Sequence, residues 1–166
     1  MFYDIYTDGA CSGNPGKGGY AFVIFCGQKE KLRVYGHKEQ TTNNCMELTA
    51  IVKAIKHAQS QFYASPGENN YTIYSDSAYC VNSINQGWVK FWKANDWKTK
   101  SGDEVKNREL WEELLKLLSD KKFKIKFVKV KGHSGNERNE LVDYLAKQGV
   151  LLEGKKNLSK STKGVQ

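Results

Sequence analysis

Four acidic residues stand at places where an acid does little for a fold. Asp8 follows Phe2-Tyr3-Asp4-Ile5-Tyr6-Thr7, a run of aromatic and β-branched residues that reads as a strand, and Gly9 behind it marks a turn. Asp76 follows a second such run, Tyr71-Thr-Ile-Tyr-Ser75. Glu47 lies one step before Leu48 and one turn before Ile51, at the edge of an apolar helical stripe. Asp143 projects near the apolar face of a last helix that carries Leu141, Leu145 and Ala146. Each acid alone has an ordinary explanation, since aspartates open turns and a rim glutamate reaches water. Gathered without counter-charge, the four would repel and raise one another's pKa values. A divalent, oxygen-seeking ion such as Mg²⁺ resolves that repulsion. Two such ions about 4 Å apart stabilise the attacking and leaving oxygens of an in-line phosphoryl displacement.

The elements that must position these acids follow from pattern and punctuation. Gly9 to Gly19 is rich in glycine. Its end contributes a GxGxxA from Gly16 to Ala21, but Tyr20–Cys26 behind it is a strand rather than the helix a dinucleotide site needs. The stretch therefore reads as a wide turn between antiparallel strands, and Lys31–Tyr35 adds a third. Thr41-Thr-Asn-Asn44 caps a helix running roughly to Phe62. Leu48, Ile51, Val52, Ile55 and Ala58 form its buried stripe. After the loop Ser65–Asn70 comes the strand Tyr71–Ser75, then a short helix from Ser77. Strand, helix, strand order implies that this strand runs parallel to the first. Asp8 and Asp76 would then leave neighbouring strands at one end of the sheet, where open α/β sheets place their ligands.

A helix from about Glu104 to Ser119 precedes a fifth strand, Lys122-Phe-Lys-Ile-Lys-Phe127, whose strict alternation puts lysines on one face. Lysine on a sheet edge blocks unwanted pairing, a sufficient explanation of that face. Gly132-His-Ser-Gly135 is a loop before a helix from Glu137 to Lys147, stopped at Gly149. Residues 1–150 are expected to form one domain. Residues 151–166, lysine-rich with little apolar content, read as a mobile tail.

Composition narrows the class of partner. The chain has 166 residues, 39% hydrophobic and 27% charged, which suits a soluble globular domain. No apolar run is long enough to span a membrane, and the N-terminus lacks a signal-peptide pattern. The four cysteines are far apart with no CxxC pair, so they read as free thiols in a reducing cytoplasm. A net charge of +8 and a pI near 9.2 point to a polyanion, nucleic acid before membrane. Between Gly87 and Lys106, Trp88, Trp92 and Trp97 alternate with Lys90, Lys93, Lys98, Lys100 and Lys106. Aromatics among lysines suit a nucleic-acid surface, and tryptophans of an amphipathic helix also suit a core. Acids for metal ions beside such a flank suggest nuclease chemistry.

The motifs together resemble type 1 ribonuclease H. They are Tyr6-Thr-Asp-Gly9 with Gly13-Asn-Pro-Gly16, Thr41-Thr-Asn-Asn-Cys-Met-Glu-Leu48, Ser75-Asp-Ser77, Trp97-Lys-Thr99, and Lys131-Gly-His-Ser-Gly135 with Asn139-Glu140 and Asp143. They come in the family's order and span Phe2 to about Gly149. The resemblance implies an α/β fold, a five-stranded mixed sheet of three antiparallel then two parallel strands, flanked by helices. It implies hydrolysis of the RNA strand of RNA–DNA hybrids by a monomer, leaving 3′-hydroxyl and 5′-phosphate ends, with two Mg²⁺ ions that Mn²⁺ can replace. Asp8, Glu47, Asp76 and Asp143 match the metal ligands, and His133 matches a loop histidine that assists proton transfer or product release. Asn14, Asn43 and Asn44 match contacts to the hybrid's minor groove, where amides suit 2′-hydroxyls. Thr42 and Asn107 match a DNA-phosphate pocket, although Gln40 stands where some relatives carry an arginine. Tyr79, Trp88 and Trp92 match the channel for the DNA strand. The segment with Lys90, Lys93, Lys98 and Lys100 resembles the family's basic protrusion. Resolvases and transposase cores also cluster acids but lack this protrusion and the Thr-Asn-Asn motif. A non-catalytic hybrid-binding module would have lost at least one acid.

Overall fold

Two long hairpin arms and a parallel extension build the sheet. The computed structural model describes residues 1–132 and 135–152. In chain order these form β1 (Phe2–Gly13), β2 (Gly16–Cys26), β3 (Lys29–Thr41), α1 (Asn43–Gln61), β4 (Asn69–Ser75), α2 (Ala78–Asn85), α3 (Trp88–Ala94), α4 (Arg108–Leu118), β5 (Phe123–Lys129) and α5 (Glu137–Val150). The strand order is β3-β2-β1-β4-β5. β1, β2 and β3 pair antiparallel, while β4 runs parallel to both β1 and β5. The expected mixed sheet is therefore present. The expected tail falls almost wholly outside the described residues. Among those described, no helix is long and apolar enough to cross a membrane.

Alternation along β1 sorts the two faces of the sheet. Tyr3 and Ile5 join Leu48, Ile51 and Ile55 of α1 and Trp111 of α4 in the larger core. Tyr6 turns the other way and meets Val142, Leu145 and Ala146 of α5. α1 starts where the sequence places it, because the Thr42 hydroxyl accepts the Cys45 N–H at 3.2 Å and so satisfies one of the helix's open donors.

Three sequence expectations change. Gly9 does not turn the chain: β1 continues to Gly13, Asp8 pairs with Ala21 in mid-ladder, and the turn is confined to Asn14-Pro15. The helix expected from Glu104 begins at Arg108, since Lys98 and Glu104 form an antiparallel bridge that folds the preceding residues back. Gly149 does not stop the last helix either. It lies buried within α5 because the helix backbone rests on the sheet there: a Cβ on Gly149 would lie 2.3 Å from the Gly36 carbonyl oxygen, and one on Gly19 would meet the Ala146 carbonyl. His37 Nδ1 adds a hydrogen bond to the Gly149 carbonyl at 3.0 Å. At the start of α5, Arg138 covers the Phe25 ring at 3.9 Å and donates to the Gly27 carbonyl.

Gly149→Ala separates these two readings of the glycine. Inside an exposed helix the change gains about 1 kcal/mol. Here forced overpacking should cost about 1–3 kcal/mol, so the melting temperature should fall. An unchanged or higher value in thermal denaturation would show that α5 is not held against β3 by this contact.

Candidate active site

β1 and β4 part company at the site. Their paired residues run from Phe2 with Asn70 to Tyr6 with Tyr74, and Asp8 and Asp76 stand two residues beyond the last pair. Parallel direction thus brings the two aspartates to the same end of adjacent strands. α1 supplies the third acid from above β1. A Cβ on Gly9 would come within 2.4 Å of the Glu47 amide nitrogen and 2.5 Å of the Met46 carbonyl carbon, so only a bare backbone lets the helix settle here. The carboxylates of Asp8, Glu47 and Asp76 each offer an oxygen, and these oxygens lie within 4.8 Å of one another. Asp8 is 3% exposed and Glu47 9%. Glu47 Oε2 has no hydrogen-bond partner among the described residues.

This crowding shows in the proton affinities. Burial pushes the Asp8 carboxyl up to about 7, against a hydrogen bond from Glu47, and the charge of Asp76 pushes the same way. Glu47 is driven well above the usual carboxylate range by burial first, then by the charges of Asp8 and Asp76. Physically, two carboxylates at this depth have lost the hydration that stabilises their charged forms, so each favours its proton. A divalent cation replaces that proton with more charge and suits an all-oxygen donor set. The residues present fit such an ion. Asp143, one element away on α5, reaches Asp8 closely enough to affect its proton but stands outside the triad, paired with Lys147 Nζ at 2.9 Å.

Comparison with known proteins decides the family. The RNase H family profile matches residues 3–151. The chain belongs to the RNase H family. It is 49% identical over 152 residues to the ribonuclease H of Acetivibrio thermocellus, covering 92% of this chain and 97% of that one. With the ribonuclease H of Caldicellulosiruptor saccharolyticus the identity is 48% over 144 residues, covering 86% and 92%. Among solved structures, LC9-RNase H1, described as a type 1 RNase H with the type 2 active-site motif, superposes with a TM-score of 0.74 at 26% identity, over 90% of this chain and 72% of that one. LC11-RNase H1 in complex with RNA/DNA hybrid shares the fold with a TM-score of 0.69 at 22% identity, over 89% and 96%. This chain is thus an RNase H enzyme with the RNase H fold.

The remaining sequence-selected residues of this RNase H fall into distinct groups. Asn43 and Asn44 are exposed at the start of α1. Asn14, at the β1–β2 turn, accepts the Asn43 N–H on its Oδ1 at 3.0 Å, which leaves its amide NH₂ free to donate. Thr42 spends its oxygen lone pair on the cap and keeps its O–H. Asn107, left-handed at φ 60° before α4, donates from Nδ2 to the Tyr79 hydroxyl, which also accepts the Trp111 indole N–H at 3.0 Å. Trp92 packs edge-on against Trp111 with centroids 5.9 Å apart, and Trp97 is buried, whereas Trp88 is exposed. Lys90, Lys93, Lys98 and Lys100 are all exposed. Gln40 lies exposed near the end of β3. His133 lies outside the described residues, although Gly132 just before it puts its Cα beside Asp76, where a Cβ would be 3.1 Å from Oδ2.

Two contributors escaped sequence reasoning. Gly9 reads as a turn former by its position, whereas its role is the missing side chain opposite a helix. Lys147 sits four residues after Asp143, a spacing that places the pair on one helical face and was visible in the sequence.

The electrostatics give a stability test. Asp8 binds its proton more tightly folded (pKa about 7) than unfolded, near 4. Its contribution is therefore fully present below about pH 4 and lost as pH rises through about 7. In chelator, Asp8→Asn should gain melting temperature relative to the parent as pH goes from 4 to 8, and Mg²⁺ at pH 8 should narrow that gap. A gap that stays constant across the range would remove the charge crowding.

Proposed function

We propose that the chain is an endonuclease that hydrolyses the RNA strand of RNA–DNA hybrids, leaving 3′-hydroxyl and 5′-phosphate ends. The observation that carries this is the triad of Asp8, Glu47 and Asp76, in which one Glu47 oxygen has no hydrogen-bond partner among the described residues, set in a basic chain of net charge +8. A structural neighbour bound to an RNA/DNA hybrid supports the substrate class. The resident ion we propose is Mg²⁺, two per site, with Mn²⁺ as a substitute. When bound, it lowers the pKa of the attacking water and offsets charge on the leaving oxygen.

The chain's own residues do the rest. Asp8, Glu47 and Asp76 would hold the ions through their carboxylates, with Asp143 completing the set from α5. Water attacks phosphorus, the bond from phosphorus to the 3′-oxygen breaks, and that oxygen takes a proton. His133 carries a proton in this exchange or helps the product leave. The amides of Asn14, Asn43 and Asn44 donate to and accept from 2′-hydroxyls, which DNA lacks. The Thr42 hydroxyl and the Asn107 amide hold a phosphate of the DNA strand, and Tyr79, Trp88 and Trp92 line its path. Lys90, Lys93, Lys98 and Lys100 contact phosphates and add affinity without sequence information. The enzyme acts as a monomer in the cytoplasm, a reducing compartment that suits its free thiols at Cys11, Cys26, Cys45 and Cys80.

A labelled hybrid incubated with the pure protein tests the activity directly. Cleavage should require a divalent ion, fall only on the RNA strand, and disappear in Asp8→Asn while hybrid binding persists. His133→Ala should lower kcat by about 10²–10⁴-fold, the usual worth of general acid–base help. Normal turnover by folded Asp8→Asn in Mg²⁺ would sink the assignment of the acids.

The lysines give a separate outcome. Each phosphate contact contributes roughly 0.7–0.9 to the slope of log affinity against log salt. Replacing Lys90, Lys93, Lys98 and Lys100 together by alanine should raise KM, flatten the salt dependence and leave kcat nearly unchanged. Parental KM and slope in a variant of unchanged melting temperature would mean that this face is only solvated.

A further inference from the structure

β5 closes one side of the sheet, and its hydrogen bonds reveal which backbone groups look outward. The Val130 N–H donates to the Ser75 carbonyl at 2.9 Å, so the even-numbered residues face β4. From the opposite side, the Asn85 side chain donates to the Phe127 carbonyl at 3.1 Å, and the Phe123 N–H donates to the Asp120 carbonyl at 3.2 Å. Between them, Ile125 directs both its N–H and its C=O away from the sheet. That edge opens onto a groove of about 1050 Å³ between β5, α3 and the end of α4. Such a volume is at the upper end of small-molecule sites.

The groove's chemistry alternates as β5 does. Phe123, Ile125 and Phe127 turn toward the core, where Leu115 and Leu118 continue the apolar wall. Lys124 and Lys126 turn the other way and are exposed. Five lysines in all line the groove, against the single acid Asp120. A strand laid along this edge would set every second side chain on apolar ground and the others beside ammonium groups. We propose that the groove docks an extended acidic peptide segment of a partner protein, with acidic and apolar residues in alternation, added to β5 as a sixth strand. The same lysines that repel a second copy of this basic chain select that partner by charge. Single-stranded nucleic acid fits less well, since it stacks on open aromatic rings and the exposed rings nearby, Trp88 and Phe91, lie outside the groove lining.

The test is independent of the hydrolytic reading because its primary signal is binding. The probe is a fluorescent peptide of about eight residues alternating aspartate with leucine, enough to span the edge strand. Polyaspartate of equal length and the hybrid duplex serve as the comparison ligands. Anisotropy with the whole chain should show the alternating peptide binding and polyaspartate binding much more weakly. Lys124→Glu with Lys126→Glu should weaken the peptide by about tenfold or more, with kcat on the hybrid unchanged. Ile125→Pro deletes an outward N–H and spares the ladder to β4, so it too should abolish binding. If that variant melts early, a peptide N-methylated on the amides facing β5 makes the same test with the unaltered protein. Equal binding of polyaspartate, indifference to the double charge reversal, or full binding of the N-methylated peptide each overturns the proposal. A hybrid KM that rises in the double variant without any peptide binding would assign the face to nucleic acid instead.

Discussion

Asp8 and Glu47 belong to a strand and a helix packed so closely that no side chain could be added to Gly9 between them. Burial is the largest cause of the raised proton affinity of both, and the neighbouring carboxylate charges add to it. A folded chain accepts such a contact only where surrounding packing over-determines it. Here the surroundings are the larger core, in which Ile51 and Ile55 of α1 lock onto Ile5 and Phe22 of the sheet. Hydrophobic burial of that extent is what holds two acids in the protonated or cation-bound state that their proximity demands.

Other parts of the architecture deliver groups to this pair from fixed directions. Parallel pairing of β1 with β4 sets Asp76 beside Asp8 without any loop having to reach. α5 brings Asp143 from the opposite face of the sheet, and its depth is set by backbone resting on backbone at Gly19, Gly36 and Gly149. Among the described residues, Asp143 forms an ion pair with Lys147 on the same helix.

Much of this was legible in the sequence, and the failures share a cause. Element types, strand directions, the Thr41–Asn44 cap and the meeting of Asp8 with Asp76 follow from local periodicity and from the handedness of strand–helix–strand units. What local pattern misjudged was glycine. Gly9 and Gly149 each stood where a turn or a helix end was plausible, and each turned out to serve a neighbour distant in sequence. A missing side chain carries no sign of whether it frees a dihedral or makes room. Depth was the second blind spot: Glu47 sits at the rim of its stripe by spacing, yet lies buried because β1 comes up to meet it. For the tryptophans the sequence left surface and core both open, and the structure divides them: Trp97 is buried, Trp92 is partly buried against Trp111, and Trp88 is exposed.

The hydrogen bond from the Asn43 amide to Asn14 couples the β1–β2 turn to the first residue of α1. Glu47 follows Asn43 by four residues, close to one turn of the same rod, an axial rise of about 6 Å. The amides that would touch the sugar edge of a strand and the carboxylate beneath its backbone therefore behave as a single rigid gauge. Any displacement of the turn is thereby passed to the start of the helix, so the Asn14 side chain and the Glu47 carboxylate keep a fixed offset.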